Sequence, residues 1–78
     1  MLREINVVQL SVLSRAAEMF EYYLPLKARV LISNSEICAI FKSEDYKLDL
    51  DKEVSRWGLS RVAKVSKNDT MTEVKINF

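Results

Sequence analysis

The chain has 78 residues, of which 49% are hydrophobic and 29% are charged, and its formal net charge is +1. These proportions are typical of one globular domain over residues 1–78, and they disfavour a disordered or a strongly basic chain. The longest uncharged stretch, Ile5 to Ser14, has ten residues, whereas a membrane span needs about 20 apolar residues. We therefore expect a cytoplasmic protein that does not enter a membrane.

Cysteine and histidine are nearly missing from the chain, since Cys38 is the only cysteine and there is no histidine. An internal disulfide, a zinc site of Cys and His ligands, and nucleophiles activated by histidine are thereby excluded. The sequence thus predicts no catalytic, cofactor-binding or metal-binding residues and no small-molecule substrate. We expect Cys38 to be an inert packing residue.

The N-terminal third has the periodicity of an amphipathic helix that ends before Pro25, because the residue before a proline avoids the helical region. β-branched residues within Glu4–Leu10 leave a strand there as the alternative, with Ser11 then capping a shorter helix. Apolar residues three or four apart form the stripe Ile5, Val8, Val12, Ala16, Met19 and Tyr23.

Residues 27–42 predict a β-hairpin, with two β-rich runs on either side of Asn34-Ser35. Asparagine tolerates the left-handed conformation of a two-residue hairpin turn. A turn centred there fixes the register. It places Ile32 opposite Ile37 and Val30 opposite Ala39 on a core face, and Leu31 opposite Cys38 and Arg29 opposite Ile40 on the other face.

The segment 43–53 carries five acidic and two basic residues. The spacing of Asp49, Asp51 and Glu53 resembles the start of a calcium-binding loop, but Val54 stands where that loop needs glycine and Ser60 where it needs glutamate. A turn at residues 43–45 and a third strand over residues 46–50 are possible interpretations of its first half.

A capped short helix explains the second half of this acidic segment. Asp49 or Asp51 can accept hydrogen bonds from free amides at the helix start, and Gly58 suits a left-handed residue at its end. Val54 and Trp57 then share one face with Leu50, and we expect Trp57 to anchor the core.

The C-terminal stretch predicts a second hairpin, centred on Asn68-Asp69. In that register Lys64 lies opposite Glu73, Ala63 opposite Val74 and Val65 opposite Thr72. The fold class is therefore α+β, an antiparallel sheet of four or five strands packed on a long N-terminal helix, with a short second helix. With a strand over residues 4–10, the element order would resemble a ferredoxin-like βαββαβ sandwich with an extra C-terminal strand.

Two surfaces are candidates for binding. One long helix and one short helix cover one face of such a sheet, which leaves Leu31, Cys38 and Ile40 on the other face as a predicted protein-binding surface. We expect a small non-enzymatic protein-binding module, a regulator or inhibitor of a larger protein, that self-associates as a homodimer. The alternative is a nucleic-acid-binding accessory protein that uses the basic residues Arg56, Arg61, Lys64 and Lys67.

Overall fold

The computed structural model describes Leu2, residues 4–45 and residues 49–78, with only the backbone of Asp45. Its strands form one antiparallel sheet in the order β1-β2-β4-β3, which confirms the α+β class. The elements are α1 (Val7–Tyr23), β1 (Arg29–Ile32), β2 (Glu36–Lys42), a short 3-10 helix (Ser43–Asp45), α2 (Leu50–Arg56), β3 (Ala63–Lys67) and β4 (Met71–Asn77).

The possible third strand over residues 46–50 falls largely outside the described residues, because these do not include 46–48. Its last two residues, Asp49 and Leu50, are the N-cap and the first residue of α2.

Helix α1 begins with a capping box at Asn6. The Asn6 Oδ1 atom accepts from the Gln9 amide at 2.8 Å, and the Gln9 Oε1 atom accepts from the Asn6 amide at 3.1 Å. Two otherwise free amides are satisfied in this way, so the helix starts four residues before Ser11. The alternative strand over Glu4–Leu10 is therefore wrong, and the ferredoxin-like element order that depended on it is wrong as well.

The buried face of α1 differs from the predicted stripe at its N-terminal end. Val12, Ala16, Met19 and Phe20 are buried, whereas Val8 is 74% exposed. The stripe therefore reaches the core only from the second turn of the helix onward. As predicted, α1 ends at Tyr23, with Leu24 as its C-cap ahead of Pro25.

The first hairpin has the predicted register, with Leu31 opposite Cys38 and Val30 opposite Ala39. Its turn is built differently, because no non-glycine residue among those described has a positive φ. The Ser33 Oγ atom instead accepts from the amides of Ser35 at 3.4 Å and Glu36 at 3.2 Å. The side chain of a serine before the turn thus stabilises the turn, which was predicted to depend on an asparagine in the left-handed conformation.

The second hairpin turns one residue later than predicted. The Asn68 amide donates to the Met71 carbonyl at 3.0 Å, so Asp69 and Thr70 are the central residues. The Asn68 Oδ1 atom accepts from the amides of Thr70 and Met71 at 2.9 and 2.7 Å. Asparagine stabilises this turn from the position before it, through its side chain.

Moving the turn by one residue moves the register by two, so every side chain keeps its face but changes its partner. The predicted pairs Lys64 with Glu73, Ala63 with Val74 and Val65 with Thr72 are wrong. The observed pairs are Lys64 with Lys75, Ala63 with Ile76, and Val65 with Val74.

Helix α2 is capped at both ends as predicted. The Asp49 Oδ1 atom accepts from the Asp51 amide at 3.1 Å. Gly58 has a φ of +72°, and the Leu59 amide donates to the Val54 carbonyl at 2.8 Å, which is the hydrogen bond of a Schellman motif. Trp57 is half-buried against the core and packs edge-to-face on Tyr23, with ring centroids 6.3 Å apart.

The core lies between the helices and one face of the sheet, which we call the inner face. Helix α1 packs on β2, and α2 packs on β3. The buried side chains of the sheet in this core are Ile37, Ala39, Phe41, Val74 and Ile76. The opposite face, called the outer face below, carries Leu31, Cys38, Ile40 and Lys75, which alternate with those residues along the strands.

Replacing Asn68 by alanine should lower the free energy of unfolding by about 1 to 2 kcal/mol, because its side chain accepts two backbone hydrogen bonds and one from the Thr70 hydroxyl. Urea denaturation measures this loss. The control Asp69→Ala, in the same turn, should stay within about 0.5 kcal/mol of the parent. Equal losses in the two variants would contradict the turn described here.

Candidate protein-binding surface

The three outer-face residues predicted to bind a partner differ in accessibility. Leu31 is 50% exposed, Ile40 is partly buried, and Cys38 is only 7% exposed. In the register Cys38 lies between Leu31 on β1 and Lys75 on β4. The structure therefore leaves Leu31 open to a partner and shields Cys38 within a single chain.

Charged side chains surround Cys38. The Lys75 Nζ atom lies 3.3 Å from the Glu73 Oε1 atom, two residues along the same strand and therefore on the same face. Burial, followed by the charge of Glu73, raises the pKa of the Cys38 thiol, although Lys75 acts in the opposite direction. A buried thiol with a raised pKa is a poor nucleophile, in keeping with a packing role.

Strand β1 exposes its side chains on both faces of the sheet. Val30 and Ile32 point to the inner face, yet they are 49% and 61% exposed, and Arg29 and Leu31 are exposed on the outer face. The reason is the position of β1 at the edge of the sheet, beyond β2, the strand on which α1 packs. Val30 and Ile32 were predicted to be core residues, and that prediction is wrong because both are exposed at the surface.

The backbone of β1 is also open along its free edge. The Ser33 amide donates to the Glu36 carbonyl at 2.9 Å, and antiparallel strands alternate between hydrogen-bonded and non-hydrogen-bonded residue pairs. Leu31 and Arg29 therefore pair with β2 through their backbones. Val30 and Ile32 direct their N–H and C=O groups away from β2, where no described strand lies.

The other edge of the sheet is built differently. Strand β3 has the sequence AKVSK, with Lys64 and Lys67 both exposed. Lysines on an edge strand discourage pairing with another chain, because desolvating the charge is costly. Strand β1 has the sequence RVLI, with no lysine or proline and with its single charge, Arg29, at the first position, so Val30 to Ile32 lack this protection.

The four basic residues of the nucleic-acid alternative do not all lie on one face of the sheet. Lys64 and Lys67 are an odd number of residues apart on β3, so they point to opposite faces of the sheet. Arg56 lies on α2, with its Nη1 atom 3.9 Å from the Glu53 Oε1 atom. Arg61 is exposed in the turn before β3. The nearest basic neighbour of Lys64 across the ladder is Lys75, which pairs with Glu73.

The described part of the acidic segment starts α2 and forms no recognisable ion site. Asp49 and Asp51 are exposed at the helix start, and within the described residues no three Asp, Glu or Cys side chains lie together as a metal site requires. Glu53 differs from these two exposed aspartates because its side chain is buried. It is only 8% exposed, and its Oε2 atom has no hydrogen-bond partner.

A second apolar surface lies where α1 passes the end of the sheet. Val8 and Val12 line a groove with Val62 and Phe78, and Val7 is exposed nearby. The predicted helix stripe had placed Val8 in the core. The groove has no free backbone edge, so β1 is the better defined of the two surfaces.

Comparison of the chain with family models, curated proteins and solved structures finds no match. In the part of the chain that the structure describes, no helix has the length and apolar character needed to cross a membrane.

The free energy of unfolding should fall as the pH rises above about 9, because the pKa of Cys38 is raised from its ordinary value of 9.0 in the folded state. Above that value the unfolded chain loses the thiol proton first, so the folded state binds more protons and loses stability relative to the unfolded state. Urea titrations between about pH 7 and pH 10 measure the slope. A Cys38→Ala variant should have a flatter profile, and an identical slope would contradict the assignment.

Replacing Glu53 by glutamine should raise the free energy of unfolding by up to about 1 kcal/mol, because the cost of desolvating a buried carboxylate with one unpartnered oxygen exceeds the small contribution of its 3.9 Å ion pair with Arg56, whose side chain is 71% exposed. The control Asp51→Asn removes an exposed charge from the same helix start and should lower stability by a few tenths of a kcal/mol, since it loses only the favourable dipole interaction. Thermal unfolding measures both changes. A loss of stability in Glu53→Gln would show that the carboxylate is stabilising.

Proposed function

We propose that this protein is a small non-enzymatic protein-binding module that works in the cytoplasm and binds its partner by strand addition at β1. The observation that carries the proposal is an edge strand whose three apolar residues, Val30, Leu31 and Ile32, are about half exposed. An extended segment placed there gains backbone hydrogen bonds from Val30 and Ile32 and apolar contacts on both faces.

Two features support a binding role over a catalytic one. The chain has no histidine, and its single thiol is buried with a raised pKa. A module of this kind regulates or inhibits a larger protein by pairing with one of its strands or extended segments, which is then not free to bind elsewhere. Of the three residues predicted to bind a partner, Leu31 belongs to this β1 surface and Ile40 lies at its margin. The buried Cys38 does not belong to it, and Val30 and Ile32 take its place.

The test is a selection of random peptides of about 12 residues for binding to the intact protein, followed by comparison of two variants at one position. Val30→Pro removes the outward N–H group while leaving the β1–β2 hydrogen bonds in place, and Val30→Ala removes the side chain but keeps that group. Selected peptides should bind Val30→Ala and should lose at least about tenfold in affinity for Val30→Pro.

Two results would overturn the proposal. One is a set of peptides that bind Val30→Pro as tightly as Val30→Ala. The other is a failure to select any peptide, together with tight binding of a random DNA or RNA pool that weakens steeply with salt, which is the behaviour of the nucleic-acid alternative.

A further inference from the structure

The structure points to a second copy of this chain as one occupant of the β1 edge. We infer that two copies pair antiparallel through β1, with Leu31 opposite Leu31 of the other copy, and so form one continuous eight-stranded sheet. This inference rests on the proposed role of β1 as a binding edge, and it adds the partner, the register and an ion pair between the copies.

The backbone of β1 is self-complementary in this register. The two residues with outward N–H and C=O groups, Val30 and Ile32, lie symmetrically about Leu31. With Leu31 on the two-fold axis, Val30 of each copy faces Ile32 of the other, and each such pair exchanges two hydrogen bonds. All four outward groups of β1 on each copy are then satisfied. A register centred on Val30 would place Ile32 opposite Ala28, whose amide already donates to the Pro25 carbonyl at 3.0 Å.

The side chains match in the same register. Leu31 meets its symmetry mate on the outer face in a non-hydrogen-bonded pair, the geometry in which side chains approach most closely. On the inner face, Val30 and Ile32 of both copies form one apolar strip. These are the residues of β1 that are half exposed in the single chain.

Charge complementarity is consistent with this register. Arg29 lies opposite Ser33 of the other copy, and Glu36 is the neighbour of Ser33 on β2. Arg29 and the other copy's Glu36 are then two strand spacings apart, about 10 Å between backbones, on the same outer face. Long side chains span this separation. Neither Arg29 nor Glu36 forms an ion pair within the described part of one chain, where the ion pairs are Arg56–Glu53 and Lys75–Glu73.

Pairing of one short strand buries less than a standard interface, so the dimer should be weak and its detection needs protein from about 10 µM to about 1 mM. Sedimentation velocity of the intact protein should show a concentration-dependent monomer–dimer equilibrium. Val30→Ala should still dimerise, and Val30→Pro should have a dissociation constant at least about tenfold higher than Val30→Ala, because two intermolecular hydrogen bonds are lost per dimer.

The ion pair gives a test of the register itself. Arg29→Glu alone places two Glu–Glu contacts in a dimer, and Glu36→Arg alone places two Arg–Arg contacts there, so each variant should dimerise at least about threefold more weakly than the parent. An equimolar mixture of the two variants should recover dimerisation, since their heterodimer contains two Glu–Arg contacts. An ion pair inside one chain could not be restored by mixing.

Hydrogen exchange on the unmodified protein keeps the inference testable if a variant fails to fold. The Val30 and Ile32 amides should be protected increasingly as protein concentration rises, while the exposed Ser35 amide near the turn should not change. A monomer at about 1 mM would overturn self-pairing and leave peptide binding at β1 as a separate result. If Val30→Pro dimerises as tightly as Val30→Ala, the pairing through β1 is overturned. If mixing Arg29→Glu with Glu36→Arg does not restore dimerisation, the register is overturned.

Discussion

Coverage of the sheet by the helices is the constraint on which the structure depends. The described part of this 78-residue chain supplies one α-helix of 17 residues and one of seven, and these cover the inner face above β2, β4 and β3. The strand left over is β1. Its inner-face residues Val30 and Ile32 have the composition of a core but the exposure of a surface. Every binding property inferred for this molecule follows from that mismatch between composition and burial.

Local signals in the sequence were sufficient for most of the fold. The α+β class, the end of α2 at Gly58, its start at Asp49 or Asp51, and the register of the first hairpin were all predicted from residues close together in the chain, and the structure shows Asp49 to be the N-cap. The second hairpin was misplaced because an asparagine can stabilise a turn from within it, through its backbone, or from the position before it, through its side chain. Asn68 does the latter, and no rule based on composition separates these two uses.

The surface of the sheet was harder to predict because it depends on contacts between distant segments. The outer-face position of Cys38 followed from the first hairpin, but its burial depends on β4, which brings Lys75 and Glu73 beside it from 37 and 35 residues away. The exposure of Val30 and Ile32 likewise depends on where α1 crosses the sheet. Alternation along a strand tells which residues share a face, but it does not tell whether that face is covered.

The two edges of the sheet have a consequence for how far assembly can proceed. A sheet with two unprotected edges could polymerise, since each added chain would expose another unpaired edge strand to the next chain. Here the β3 edge carries Lys64 and Lys67, whereas the β1 edge carries three consecutive apolar residues after Arg29. In the inferred pairing through the β1 edge, lysine-bearing strands would lie at both ends of the joined sheet, where the cost of desolvating their charges disfavours the addition of further chains.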